Sequence, residues 1–275
     1  MPKSLLNLTV KKYGPDYIHK KIYDGKVFIF NNSNYINNII NIVEQYFIEI
    51  FGIEIKTFLC DKDNLKFPEK EKLFLKFQNK IKLCRNISLN FLKFLNELGL
   101  SSELVFMDQS SLRYSPQKGF RPFGKLIPTP PHRDTWASNI FGQINFWFPI
   151  HDVSPNNSIY IVPKYFKKKI ENNSKQWCYE TFKKSINYPS APYTKIKIKD
   201  HDKLHIKIQK GQVLCFSGHH LHGSHQNDKK RINLETRIVY KSKLNSDFKP
   251  INNDSYGKTK KKNWFKNVIS NKYLD

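Results

Sequence analysis

The stretch Pro130-Pro-His-Arg-Asp-Thr-Trp136 carries the residues best suited to chemistry. His132 and Asp134 stand two apart, and on a strand residues i and i+2 project from one face while Arg133 points away. An imidazole and a carboxylate on one face are two of the three ligands of the facial triad. That set holds non-haem Fe(II) and leaves positions open for substrate chemistry. A second histidine is then required. Residues 211–227 read GQVLCFSGHHLHGSHQN, an apolar strand running into a turn with His219, His220, His222 and His225. His222 sits at the strand-like end of that turn, just before Gly223-Ser224. Histidine-rich turns are also common as polar surface clusters, so the turn alone does not single out a ligand.

The next strand reads Arg231-Ile-Asn-Leu-Glu-Thr-Arg237. Arg231, Asn233, Glu235 and Arg237 share one face, which must meet either solvent or a polar interior. A 2-oxo diacid cosubstrate suits such a face. A guanidinium fork pairs bidentately with the distal carboxylate, a geometry lysine cannot supply, while the 2-oxo acid end chelates iron.

The ordered set of His132-x-Asp134, a distal His-Gly-Ser-x-Gln-Asn turn and an arginine soon after resembles the phytanoyl-CoA dioxygenase-like branch of the Fe(II)/2-oxoglutarate-dependent oxygenases. Gln143-Ile-Asn-Phe-Trp-Phe-Pro-Ile150 and Asn156-Asn-Ser-Ile-Tyr-Ile-Val-Pro163 match two further segments of that family. The resemblance covers residues 105–240, about half the chain. It implies a double-stranded β-helix (jelly-roll or cupin-like) core with Fe(II), 2-oxoglutarate and O2 as cofactors. His132, Asp134 and His222 would be the iron ligands. Arg231 would hold the distal carboxylate of 2-oxoglutarate, with Ser224 hydrogen-bonded to it. Trp147 would line the cosubstrate pocket, although core packing explains a tryptophan there equally well. Asn145, on the same face, would touch the cosubstrate or a metal ligand. The family leaves His219, His220 and His225 without a role, as surface or substrate-side residues, and Arg237 as a substrate contact or an ion pair with Glu235. Because the acidic ligand Asp134 is present, the implied reaction is hydroxylation of a small metabolite with release of succinate and CO2.

Three other readings compete. The spacing of Arg231 and Arg237 is similar to that in AlkB-type nucleic-acid demethylases, which the basic charge would suit. The same fold could serve as a metal-binding or scaffold module without turnover. The extra histidines also fit a cupin-like epimerase or isomerase with a different metal.

Composition sets the frame. The chain has 275 residues, 39% of them hydrophobic and 14% aromatic, which is enough for a sizeable core and excludes wholesale disorder. The formal charge of +24 reads either as affinity for a polyanion or as drift in a Lys-, Asn- and Ile-rich composition. The lysines spread over the whole chain, which favours drift. Cys60, Cys84, Cys178 and Cys215 are far apart and form no CxxC pair, as expected of reduced thiols in a cytoplasmic protein. Neither a membrane-spanning run nor a leader pattern is expected.

The elements that must position the site follow from periodicity. Residues 1–25 read as an irregular arm and 26–30 as a short strand. Ile36, Ile39, Ile40, Val43, Phe47 and Ile50 mark a helix that Gly52 ends. A second, longer helix opens at Pro68 and runs to Gly99 along the stripe Phe74, Phe77, Ile81, Cys84, Phe91, Leu95, Leu98. From residue 103 the period becomes two, with strands expected at 104–107, 111–115, 143–150, 159–162, 195–199, 204–208, 213–217 and 231–240. Helices followed by many short strands predict a mainly β fold with flanking α-helices. The expected layout is an N-terminal arm and buttressing helices over 1–102, an oxygenase core over 103–240 and a peripheral basic extension over 241–275 pinned by Trp264 and Phe265, all in one structural domain. Substrate determinants are expected in the N-terminal helices and the 117–131 and 164–192 segments. Lys164 and Tyr165, with Lys167, Lys168 and Lys169, would favour an anionic group such as a phosphorylated or nucleotide-linked sugar.

Overall fold

In a computed structural model, which describes residues 4–60, 66–118, 130–185, 188–225, 229–243, 253–258 and 260–275, sheet and helix alternate in an order that the composition alone did not dictate. The elements are β1 (Leu5–Thr9), α1 (Pro15–Tyr23), β2 (Val27–Asn31), α2 (Asn34–Phe51), α3 (Ile55–Leu59), α4 (Phe67–Leu83), α5 (Arg85–Glu97), β3 (Val105–Met107), β4 (Ser111–Ser115) and α6 (Thr135–Ser138). There follow β5 (Gln143–Pro149), β6 (Ile159–Ile161), α7 (Tyr179–Lys184), β7 (Leu204–His205), β8 (Val213–Ser217), β9 (His222–Ser224) and β10 (Arg231–Tyr240).

The larger sheet runs β1-β2-β8-β5-β10-β3, with β4 sharing the same edge of β10 as β3. Only β1 and β2 pair in parallel among its ladders. A smaller antiparallel sheet runs β7-β6-β9. Strand alternation sorts the side chains into two layers. Phe28, Phe30, Ile144, Phe146, Phe148, Cys215, Ile232, Leu234 and Ile238 face the helices and share one core with the buried stripes of α2, α4 and α5. Val27, Ile29, Trp147, Leu214 and Phe216 face the small sheet and pack on Ile159 and Ile161. The protein is thus sheet-rich, with helices flanking one face of the larger sheet and the smaller sheet covering part of the other. On β10 this places Arg231, Asn233, Glu235 and Arg237 between the sheets, the polar-interior option for that face.

Several expectations are corrected. The first 25 residues are not an irregular arm. Leu5–Thr9 extends the large sheet beside β2, and α1 follows with Ile18 and Ile22 buried. Helix α2 forms as read, and Gly52 ends it at φ 69°, a left-handed turn that glycine adopts without strain. The long second helix is instead two, broken at Cys84, whose ψ of 103° is extended. The stripe Phe74, Phe77, Ile81, Cys84, Phe91 keeps helical spacing across the break, and no proline or glycine marks it. Residues 195–199 form no strand. Their Lys-Ile alternation arises because Ile196 and Ile198 pack on the cluster of Trp136, Val162, Ile170 and Leu221. The C-terminal segment is not peripheral in its described parts. Phe265 is fully buried, Lys266 exchanges backbone hydrogen bonds with Met107, and Asp254 is buried beneath the surface. Cys60, Cys84, Cys178 and Cys215 are free thiols. No described helix is long and apolar enough to cross a membrane.

Candidate metal centre

His132 and His222 are brought together by the backbone. Each donates its N–H to the other's carbonyl, at 2.9 and 3.0 Å, as an isolated antiparallel bridge. Their rings consequently lie 4.3 Å apart between centroids. The Nδ1 atoms of both face backbone carbonyls, that of His132 at 2.9 Å from Pro130 O and that of His222 at 3.0 Å from His220 O. A carbonyl only accepts, so both Nδ1 atoms carry the proton and both Nε2 lone pairs are presented to one point. Asp134 completes the set, its Oδ1 lying 3.5 Å from His132 Nε2. One ligand atom from each of the three lies within 4.8 Å of the others.

The carboxylate is itself oriented. Asn145 Nδ2 donates to Asp134 Oδ2 at 2.6 Å, and Gln143 Nε2 donates to Asn145 Oδ1 at 2.7 Å. Oδ2 is thereby engaged and Oδ1 is turned towards the histidines. Burial alone would raise the Asp134 carboxyl. Its close approach to His132 and His222 and the field of Arg237 outweigh it and hold the group well below the usual carboxylate range. Burial, reinforced by His132, pushes His222 down to about 3. At neutral pH the set is one carboxylate and a neutral His222, the protonation states a divalent metal requires.

The triad opens onto a pocket of about 660 Å³. At its inner end lies Arg231, 1% exposed. It donates to Asn233 Oδ1 (3.1 Å), Asn157 O (2.8 Å), Ser115 Oγ (2.9 Å) and Ser224 Oγ (3.1 Å), and its guanidinium lies 5.5 Å from the Trp147 ring centre. Among the described residues no carboxylate pairs with it, since Glu235 is held by Arg113 at 2.6 Å. Burial, with Arg113 adding to it, lowers Arg231 to about 9, so it remains a cation at neutral pH. The hydroxyls of Ser115 and Ser224 accept from the guanidinium and keep their own protons free to donate.

The remaining predicted residues separate. Trp147 does both things expected of it, packing in the inter-sheet core and lining the pocket. Asn145 lines the pocket and contacts a metal ligand. Arg237 also lines the pocket, but its ion partner is Asp108 and not Glu235. Lys164 pairs with Asp202 at 3.0 Å, and neither it nor Tyr165 is among the pocket-lining residues. His219 and His220 are buried, against the surface or substrate-side placement expected. His219 meets Arg133, and His220 packs on Phe166 at 4.3 Å between ring centres. His225 stacks on His205 at 4.8 Å. The 117–131 segment falls largely outside the described residues.

Two features escaped the sequence. Ser115 faces Arg231 directly in the β4–β10 register, which only the pairing reveals. Arg133, between the two ligands of the His-x-Asp stretch, is fully buried and paired with Asp254 at 3.3 Å. It also donates to Tyr165 O (2.6 Å) and Lys168 O (2.9 Å), while Asp254 accepts from Trp136 Nε1 (2.8 Å) and Ile170 N (3.1 Å). This knot ties the ligand stretch to two remote segments.

No protein-family model matches the chain, and no curated protein matches it in sequence. Among solved structures it is similar to EvdO2 from Micromonospora carbonacea var. aurantiaca, at 11% identity over 85% of this chain and 93% of that one, with a TM-score of 0.45. A 2-oxoglutarate complex of EvdO2 aligns over 59% of this chain and 63% of that one at 11% identity and a TM-score of 0.39. The epimerase SnoN, in complex with Fe3+, α-ketoglutarate and nogalamycin RO, aligns at 12% identity over 72% of this chain and 73% of that one, with a TM-score of 0.37. These similarities are too loose to assign a fold or an activity.

Proposed function

We propose that the protein is an Fe(II)/2-oxoglutarate-dependent oxygenase with a double-stranded β-helix core, hydroxylating a small molecule. One observation carries the reading. Two histidines whose Nε2 atoms converge and an oriented carboxylate face a pocket whose inner end is a buried arginine with no carboxylate partner among the described residues. A lone buried cation is costly, and a small dianion reaching from the triad to Arg231 would offset that cost. The fit to iron rests on the donor set, two imidazole nitrogens and one carboxylate oxygen, with the rest of the coordination sphere open to the pocket.

The roles follow from the contacts. His132, Asp134 and His222 would hold the metal, and their carbonyl and amide partners fix which atoms they present. Arg231 would bind the distal carboxylate of 2-oxoglutarate with Ser115 and Ser224 donating beside it, and Trp147 would flank the chain and exclude water. When bound, iron and cosubstrate supply the oxidation, with 2-oxoglutarate converted to succinate and CO2. The protein supplies position and dryness. The nucleic-acid reading draws no support from Arg237, whose charge is met by Asp108.

Equilibrium dialysis with 2-oxoglutarate, with and without Fe(II), tests this. The wild-type chain is expected to bind the diacid with Fe(II). Arg231→Lys loses the planar fork and is expected to weaken binding by about 30- to 100-fold, the equivalent of about 2–3 kcal/mol. Equal affinity in the two proteins would refute the role given to Arg231.

A further inference from the structure

Beyond the triad the same pocket continues to an outer part built from three elements remote in sequence. Helix α4 contributes Leu75, Gln78, Asn79 and Lys82. Helix α7 contributes Tyr179, Phe182 and Lys183. The C-terminal segment contributes Asn263, Trp264, Lys266 and Tyr273. Two properties stand out in this set. The first is aromatic surface on one side: Tyr179 lies 4.8 Å from Trp264 and 6.1 Å from Phe182 between ring centres, and all three are only half-buried. Arg237 lies 5.3 Å from the Trp264 ring centre and Lys183 5.2 Å from that of Tyr179, and the ring area left uncovered presents a flat apolar surface to the pocket.

The second is an excess of cations. Deeper in, Arg113 is met by Glu235 and Arg237 by Asp108, and Arg231 is the cation assigned above to the cosubstrate. Lys183 is met by Glu180 at 2.6 Å. Lys82 and Lys266 have no carboxylate partner among the described residues, and they come from two different elements, α4 and the C-terminal segment. Lys266 has only the Tyr273 ring, 5.6 Å away, beneath its ammonium. Among the described residues the outer pocket contributes no unpaired carboxylate to offset them.

We propose that the outer pocket takes an organic anion with a flat apolar body. The body would lie on Tyr179, Phe182 and Trp264, and the anionic group would meet Lys82 and Lys266. This deepens the oxygenase reading by naming its substrate class, and it rests on that reading for the claim that the ligand is a substrate. The anion is an outer-pocket feature, separate from the carboxylate assigned to Arg231. Lys164 and Tyr165, outside the pocket, take no part in it.

The test uses the full chain without added metal, so that its outcome is independent of iron chemistry. 1-Naphthyl phosphate, 1-naphthol and inorganic phosphate are titrated by calorimetry. The expected result is that the ester binds at least about tenfold more tightly than either fragment, one charge-assisted contact being worth about that factor. The Lys82→Gln/Lys266→Gln variant should reduce the ester to the affinity of naphthol. Lys82 is exposed on α4, so its replacement leaves the fold intact. Trp264→Ala should weaken both aromatic probes while leaving phosphate unchanged. Equal binding of ester and naphthol, unchanged binding in the lysine variant, or no binding of the ester at millimolar concentration would each overturn the proposal. Binding of Fe(II) and 2-oxoglutarate is measured on the same variants. If the probes behave as expected while Fe(II) and 2-oxoglutarate do not bind, the oxygenase reading fails and the anion site stands. The opposite pattern leaves the oxygenase reading and removes this one.

Discussion

Replacing Asp254 by alanine should damage the protein far more than its distance in sequence from the ligand stretch suggests. Arg133 and Asp254 are both fully buried. Burial pushes Arg133 down to about 10 and Asp254 up from the usual carboxylate range, so each charge is held against a desolvation cost. Removing one member of such a pair leaves the other buried and unmatched, at about 3–5 kcal/mol. The alanine also strands the Trp136 indole and the Ile170 amide, each at about 1–3 kcal/mol. These terms overlap, because a water entering the gap would meet several donors at once, so about 4 kcal/mol is the expected total. Urea denaturation followed by tryptophan fluorescence measures it. Asp254→Asn keeps one acceptor oxygen, enough for Trp136 Nε1 or Ile170 N but not both, and loses the charge, so it should cost less than alanine. The double variant Arg133→Met/Asp254→Leu removes both charges and should recover much of the loss. A cost below about 1 kcal/mol for Asp254→Ala would show that the pair does not anchor the ligand stretch.

Further outcomes are expected elsewhere. Asn145→Ala frees Asp134 Oδ2 and should weaken Fe(II) binding by about 10- to 100-fold with little change in stability, as measured by competition with a chelating dye. A Cβ on Gly223 would stand 2.6 Å from Tyr160 Oη and 2.8 Å from its ring. Gly223→Ala should therefore cost about 1–3 kcal/mol in urea, and adding Tyr160→Phe should recover part of it. His19 and His220 are buried with pKa values lowered to about 4, chiefly by burial. The unfolded chain binds these protons near pH 6.5 and the folded chain does not, so stability should be intact above about pH 6.5 and fall towards pH 4. Each such histidine contributes up to about 3 kcal/mol, and His19→Gln should flatten the slope of stability against pH over that window.

Much of the site was legible because its chemistry is local. The run of β10 from Arg231 to Tyr240 is a backbone periodicity and holds in the structure. His132 and Asp134 do converge, but not along a strand: His132 lies in an isolated bridge, and Asp134 has helical backbone angles at the start of α6. The partner of His132 was found through resemblance to a known pattern, since nothing in the four-histidine turn distinguishes His222 from His220. What separates them is the bridge of His222 to His132 and the burial of His220 against Phe166 and Gly25 O. Long-range partners stayed hidden for the same reason. Asp254 sits in a polar, lysine-rich stretch that reads as a solvated tail, and only folding shows it beneath Arg133. The break at Cys84 was invisible because the apolar spacing continues across it. Strand β1 was missed because its burial comes from β2 and not from a pattern of its own.

The most direct measurement is an anaerobic titration of the metal-free protein with Fe(II) and 2-oxoglutarate, followed by visible absorption. The expected result is a weak charge-transfer band of the iron–cosubstrate chelate that requires both additions and is lost in Asp134→Ala and Arg231→Ala. A folded protein that gives no band, or a band that survives Asp134→Ala, would contradict the assignment of His132, Asp134 and His222 as the iron site.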